Sequence, residues 1–174
     1  MTTIRPNAEQ IAKLTVRSIV AYASRAARRA IATQNADDIE SCERALRVAN
    51  EFVEEPTVVS GSERRAALAA ASASDRGPTE SLPLIHVTVM ACAAMMCCYY
   101  AIRTVCSKEP ERATCFKRLV DEAVRAARPL DDEASAALDV ADYELLVKLY
   151  GKHESITLGD PFDPSDSGPL GPIL

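Results

Sequence analysis

Tryptophan is absent from this chain of 174 residues, and aromatic side chains make up only 5% of it. Sheets draw heavily on aromatic and β-branched residues, whereas here alanine fills much of the 48% apolar share. Alanine is the best helix former and lets helices approach closely, so close-packed helices are expected over a sheet. No stretch sustains the period-two alternation of a half-buried strand. A phosphate-cradling glycine loop is also missing. Only two histidines are present, His86 and His153, and none of the six cysteines forms a C-x-x-C pair. The zinc signal is correspondingly weak.

The most telling absence is local. LPLIHVTVMACAAMMCCYYAI, from Leu82 to Ile102, holds no Asp, Glu, Lys or Arg. A helix apolar on every side must be surrounded by other helices or by lipid. The run is long enough for a bilayer, but its Ala, Cys, Thr, Met and His content suits insertion poorly. Its amphipathic neighbours also need an apolar surface to pack on. The expectation is a buried central helix at about 81–106. The opening MTTIRPNAEQ has no charged-then-apolar layout, so no leader is expected. Cysteines embedded in an apolar run behave as small hydrophobes. Together these point to a reducing, cytoplasmic setting.

Around that helix the spacing predicts five more. Asn7 and Gln10 form a capping-box pattern for a first helix over about 8–33, with Ala12, Val16, Ile19, Ala23 and Ala26 as its stripe. Arg25, Arg28 and Arg29 sit near its end, where cations suit the helix dipole. A second begins near Asp37 with Leu46, Ala49, Phe52 and Val53 facing inward, and Pro56 stops it. Ser60 and Glu63 would cap ERRAALAAASAS. The fifth carries Phe116, Leu119, Val120, Ala123 and Val124. The sixth, opened by Asp131, has Leu138, Ala141, Leu145 and Leu149 inward and Glu144 and Lys148 outward. From residue 159 the chain reads GDPFDPSDSGPLGPIL, which is incompatible with helix. The expected fold is all-α: one bundle of about six helices over 1–158, with an extended Pro/Gly-rich tail over 159–174.

The net charge of −5 is uneven. Residues 1–50 carry eight Lys/Arg against five Asp/Glu, and residues 131–174 carry two against ten. An acidic chain without a basic patch interleaved with aromatics disfavours nucleic acid. The acidic end is a candidate contact surface for a basic partner, centred on Asp131, Asp132, Asp139 and Asp142. Charge reversal there is expected to abolish binding. The bland alternative is a solvated acidic face. A second candidate is the helix face shared by His86, Met90 and Cys97, spaced for a soft-metal or small-ligand pocket, or for core packing. Tyr99, Tyr100 and Arg103 suit a binding anchor or an ordinary helix end equally.

CERALRVANEFVEE, then SGSERRAALAAASAS, then HVTVMACAAMMCCYYAI resemble a loose family of alanine-rich helical proteins. Some of these are described as immunity proteins of bacterial polymorphic toxin systems, and similar proteins are frequent in planctomycete-type bacteria. The tail is similar to Pro/Gly-rich endings of other bacterial proteins. The chain departs from the pattern in having Glu54-Glu55-Pro56 in place of a glycine-containing turn, and in lacking the typical tryptophan. No functional residue carries over. The resemblance implies a cytoplasmic, non-enzymatic protein that binds another protein, a toxin domain in its most specific form. The alternatives are a metal- or ligand-binding bundle, or an enzyme, at His86, Met90 and Cys97, and a homo-oligomer of unknown role. No cofactor is implied.

The tail's Phe162, Leu170, Ile173 and Leu174 are spaced among prolines as anchors for a docked strap. Deleting residues 159–174 is therefore expected to lower the melting temperature, and an unchanged value would contradict docking.

Overall fold

The capping box at Asn7 forms as its spacing predicts. The Asn7 side chain accepts from the Gln10 N–H, and the Gln10 side chain accepts from the Asn7 N–H, both at 2.9 Å. The helix it starts is brief, however. In the computed structural model, which describes residues 4–32, 39–54, 82–127 and 133–173, α1 covers only Ala8–Ile11 and α2 restarts at Val16–Ala32. Thr15 makes the break. Its hydroxyl accepts from the Ser18 N–H at 3.2 Å, which is an N-cap. The freed N–H groups of Val16 and Arg17 donate to the carbonyls of Thr157 and Leu158 at 2.8 and 3.1 Å. The first helix of the sequence reading is thus two, split where the segment after the last helix crosses it.

The remaining described helices are α3 (Ile39–Glu54), α4 (Leu82–Cys106), α5 (Glu111–Ala126) and α6 (Glu133–Tyr150). The fold is an all-helical bundle, with no strand among the described residues. The ERRAALAAASAS segment, its Ser60–Glu63 cap and the Asp37 and Asp131 starts lie outside those residues. α4 packs against α5, α2 and α3, and α2 in turn meets α3, α5 and α6. Among the described residues, no helix is long and apolar enough to cross a membrane. The stripes expected on α3 and α5 are the buried ones: Leu46, Ala49, Phe52 and Val53, then Leu119, Val120 and Ala123.

Two faces differ from expectation. α2 is buried continuously from its cap at Thr15 through Ala27, taking Arg17, Ser18, Ser24 and Arg25 inside with it. It is as enclosed as the apolar α4, which leaves Arg103 and Cys106 exposed at its end. In α6 the inner face belongs to Ala136, Asp139, Asp142, Tyr143 and Leu146. Ala141 and Leu149, expected inside, face solvent, Leu149 at 43% exposure. The i, i+3, i+4, i+7 rhythm is intact but turned by roughly one residue, about 100°, because two carboxylates occupy core positions.

At the end of α4, Arg103 lies over the Tyr99 ring at 5.8 Å, donates to the Tyr99 hydroxyl at 3.0 Å, and pairs with Glu111. That contact ties the end of α4 to the first turn of α5.

Beyond α6 the chain returns along the bundle. The His153 N–H donates to the Lys13 carbonyl at 2.8 Å, and Arg112 holds the Ile156 carbonyl at 2.8 Å. Gly159 then turns with φ +81°, and a Cβ there would fall 2.5 Å from the Thr15 hydroxyl oxygen. Both the dihedral and the space demand glycine. Gly159→Ala is expected to cost about 1–3 kcal/mol, read as a lowered denaturation midpoint. A midpoint equal to wild type would show that this close approach does not occur.

Candidate functional site

α2 presents Arg25 and Arg29 one turn apart, and α6 presents Asp139 and Asp142 one turn apart. When the two helices pack, the four side chains meet in the core. Arg29 bridges both acids: Nη2 donates to Asp139 Oδ1 and Nη1 to Asp142 Oδ2, each at 2.6 Å. Arg5 Nε takes the other oxygen of Asp139 at 2.7 Å. Arg25 Nε takes the other oxygen of Asp142 at 3.0 Å. The result is an alternating chain, Arg5–Asp139–Arg29–Asp142–Arg25, in which each carboxylate oxygen has its own arginine. Asp139 is 1% exposed and Asp142 6%. Burial acts against the Arg29 charge, but the two aspartates outweigh it and its pKa rises. Beside the chain the Tyr22 phenol is fully buried. Burial first, then the Asp139 charge, push its pKa up.

The sequence reading placed Asp139 and Asp142 on a partner-facing acidic surface. The structure corrects this: both are core residues, neutralised by arginines more than a hundred positions away in sequence. Asp131 and Asp132 lie outside the described residues. Arg25 and Arg29, read as dipole partners at a helix end, are the other half of the cluster. The missed signal is the matched spacing, four residues between the arginines and three between the aspartates.

Arg25 also faces the strap. Nη1 donates to the Gly171 carbonyl at 2.9 Å and the Pro164 carbonyl at 3.4 Å, and Nη2 to those of Pro172 at 3.2 Å and Leu170 at 3.4 Å. With Nε on Asp142, all five N–H donors of a guanidinium are engaged. The four carbonyl dipoles of the strap thus point at the Arg25 guanidinium. Arg17 works in parallel, stacking over Phe52 at 5.9 Å and donating to the Gly159 carbonyl. Between these clamps the Phe162 ring stacks on Tyr150 at 4.4 Å, and its N–H donates to the Val53 carbonyl at the end of α3. Leu170 is buried in the core. Gly168 closes a turn beneath the Asp163 carbonyl that a Cβ would strike. Asp163 caps the same turn, accepting from Ser165, which holds its carboxyl below the usual range. The tail is docked, with Phe162 and Leu170 as anchors; of the other two expected anchors, Ile173 is only half-buried and Leu174 lies outside the described residues.

Beside the strap, Glu54, Pro161, Phe162, Asp163 and Ser165 line an open hollow of about 460 Å³. Burial, and then the facing Asp163, raise the Glu54 pKa.

The second candidate site is only partly described. Cys97 is fully buried, with its thiol on the Leu119 carbonyl at 3.6 Å. Burial pushes its pKa well up, which disfavours the thiolate that ligates metals. The side chains of His86 and Met90 lie outside the described residues. No group of three or more His, Cys, Asp or Glu suited to a metal is assembled among the described residues.

No family model matches the chain, and no curated protein or solved structure matches it either.

Removing one member of a buried pair strands its partners and costs about 3–5 kcal/mol. Asp142→Asn is expected to destabilise by that order in urea denaturation. Glu144→Gln, on the exposed side of the same helix, should stay within about 0.5 kcal/mol of wild type. Similar midpoints for the two variants would contradict the cluster.

Proposed function

We propose that this chain is a non-enzymatic helical module that binds another protein, with neutralisation of a cognate bacterial toxin as its most specific form. The observation that carries the reading is the strap seat. A rigid helical surface already grips an extended main chain through arginine, two apolar anchors and a helix-end carbonyl. Recognition of extended segments is a recurring mode of protein binding. The buried charges support the same view, since Arg25, Arg29, Asp139 and Asp142 are spent on one another and rigidify the scaffold. Cys97, held as a buried thiol, lends nothing to the metal-binding alternative.

With Asp139 and Asp142 inside, the electrostatic part of the contact moves to acids that face solvent. Glu133 and Glu144 lie about 20° apart around α6, and both are exposed. Glu154, Asp160 and Asp166 are exposed on the segment that follows. This face fits a basic partner and would occlude it sterically and by charge. The protein is cytoplasmic in this reading.

The test begins with affinity capture from the native organism's lysate and identification of stoichiometric partners. A single partner carrying a toxin domain is expected, and co-expression should rescue growth. The double reversal Glu133→Lys and Glu144→Lys is then expected to weaken that complex by about ten-fold or more. Unaffected affinity would rule out the α6 face. Elution as a self-oligomer with no other partner would overturn the proposal.

A further inference from the structure

The strap is held largely through atoms that every peptide possesses. Arg25 meets four carbonyls, Arg17 meets that of Gly159, and the Val53 carbonyl receives the Phe162 N–H. Side-chain selectivity comes from two anchors eight residues apart, the Phe162 ring on Tyr150 and Leu170 in the core. Nothing in these contacts requires the occupant to be covalently joined to the bundle. The segment before the strap is pinned separately, by Val16, Arg17 and Lys13 on residues 153–158, and Gly159 is the pivot between the two parts.

We propose that the Arg25 seat is a peptide-binding site whose ligand is an extended segment of a partner protein, and that the strap occupies it as a built-in competitor. The ligand's chemistry follows from the occupant. It carries proline and glycine, which keep the main chain extended and lower the ordering cost. It places an aromatic residue and a leucine at the spacing of Phe162 and Leu170. It is acidic between them, as the strap is at Asp163 and Asp166. The inference rests on the protein-binding reading above and names its site.

Competition sets the observable. A tethered strap acts at an effective concentration in the millimolar range, and a free peptide sees only the fraction of molecules whose seat is open. Weakening the strap in the chain should therefore strengthen binding from outside.

The probe is a fluorescent peptide of residues 159–174, GDPFDPSDSGPLGPIL, titrated against the full chain by anisotropy. Leu170→Ala in the chain's own strap is expected to tighten peptide binding by about ten-fold or more over wild type. Phe162→Ala in the chain, at a half-buried position, should do the same and covers the case that the first variant folds poorly. Leu170→Ala in the peptide should abolish binding to all three chains. Light scattering should show a monomer throughout. Absence of saturable binding to both chain variants would overturn the site, as would binding indifferent to the peptide's leucine. A dimer dissolved by the peptide would overturn the partner assignment in favour of a second copy. No peptide binding despite a captured stoichiometric partner would sink this site and leave the protein-binding reading standing. Peptide binding to a chain that captures nothing would do the reverse.

Discussion

Two carboxylates on one helix, Asp139 and Asp142, determine how much of this molecule is put together. Bringing charge out of water costs several kcal/mol per ion unless each oxygen and each N–H finds a partner. Here the match is close to complete: four carboxylate oxygens meet three arginines. Pairing of this kind is what allows charged residues into a core. It also explains how α2 can be enclosed from Val16 through Ala27 although three of its four arginines, Arg17, Arg25 and Arg29, are buried. Such a cluster is weak evidence for high stability, since an apolar replacement often does as well. Its contribution is to register, because sliding α6 along α2 would part Arg29 from both aspartates.

The same chain of charges reaches the strap. Arg25 is shared between Asp142 and four carbonyls of the C-terminal segment. The helix that orients the arginine and the segment that consumes its remaining donors are therefore energetically linked. Glycine at 159, in contact with Thr15, brings the chain close enough for this to happen. The uneven charge of the sequence, positive at the start and acidic at the end, becomes intelligible in these terms. Part of it is an ion cluster cut into two pieces and stored at opposite ends of the chain.

Much of the fold was legible. The Asn7 capping box, the stripes of α3 and α5 and the docked Pro/Gly tail all follow from local chemistry, and each is present. The misreadings share one cause. Periodicity assigns charged residues to the outside, so α6 was turned toward Leu138, Ala141 and Leu149, and Asp139 and Asp142 were placed in solvent. A single helix gives no sign that its carboxylates will be neutralised by residues 110 to 134 positions away. The Thr15 break was written as Thr-x-x-Ser, but its other half is a pair of carbonyls at 157 and 158. Long-range partners decided both cases.

The functional reading inherits that geometry. A strap gripped by main-chain contacts is a model, in cis, of how the bundle would hold a partner, and the surface acids left on α6 offer a second handle. The central structural claim is that Asp142, Arg25 and the strap act as one unit. A double-mutant cycle between Asp142→Asn and Leu170→Ala, measured by urea denaturation, tests it most directly. Arg25 joins the two, with Nε on the Asp142 carboxylate and Nη2 on the Leu170 carbonyl, and is the expected route of coupling. A coupling energy of about 1 kcal/mol or more is expected, against additivity to within about 0.5 kcal/mol for independent sites. Additive effects would contradict it.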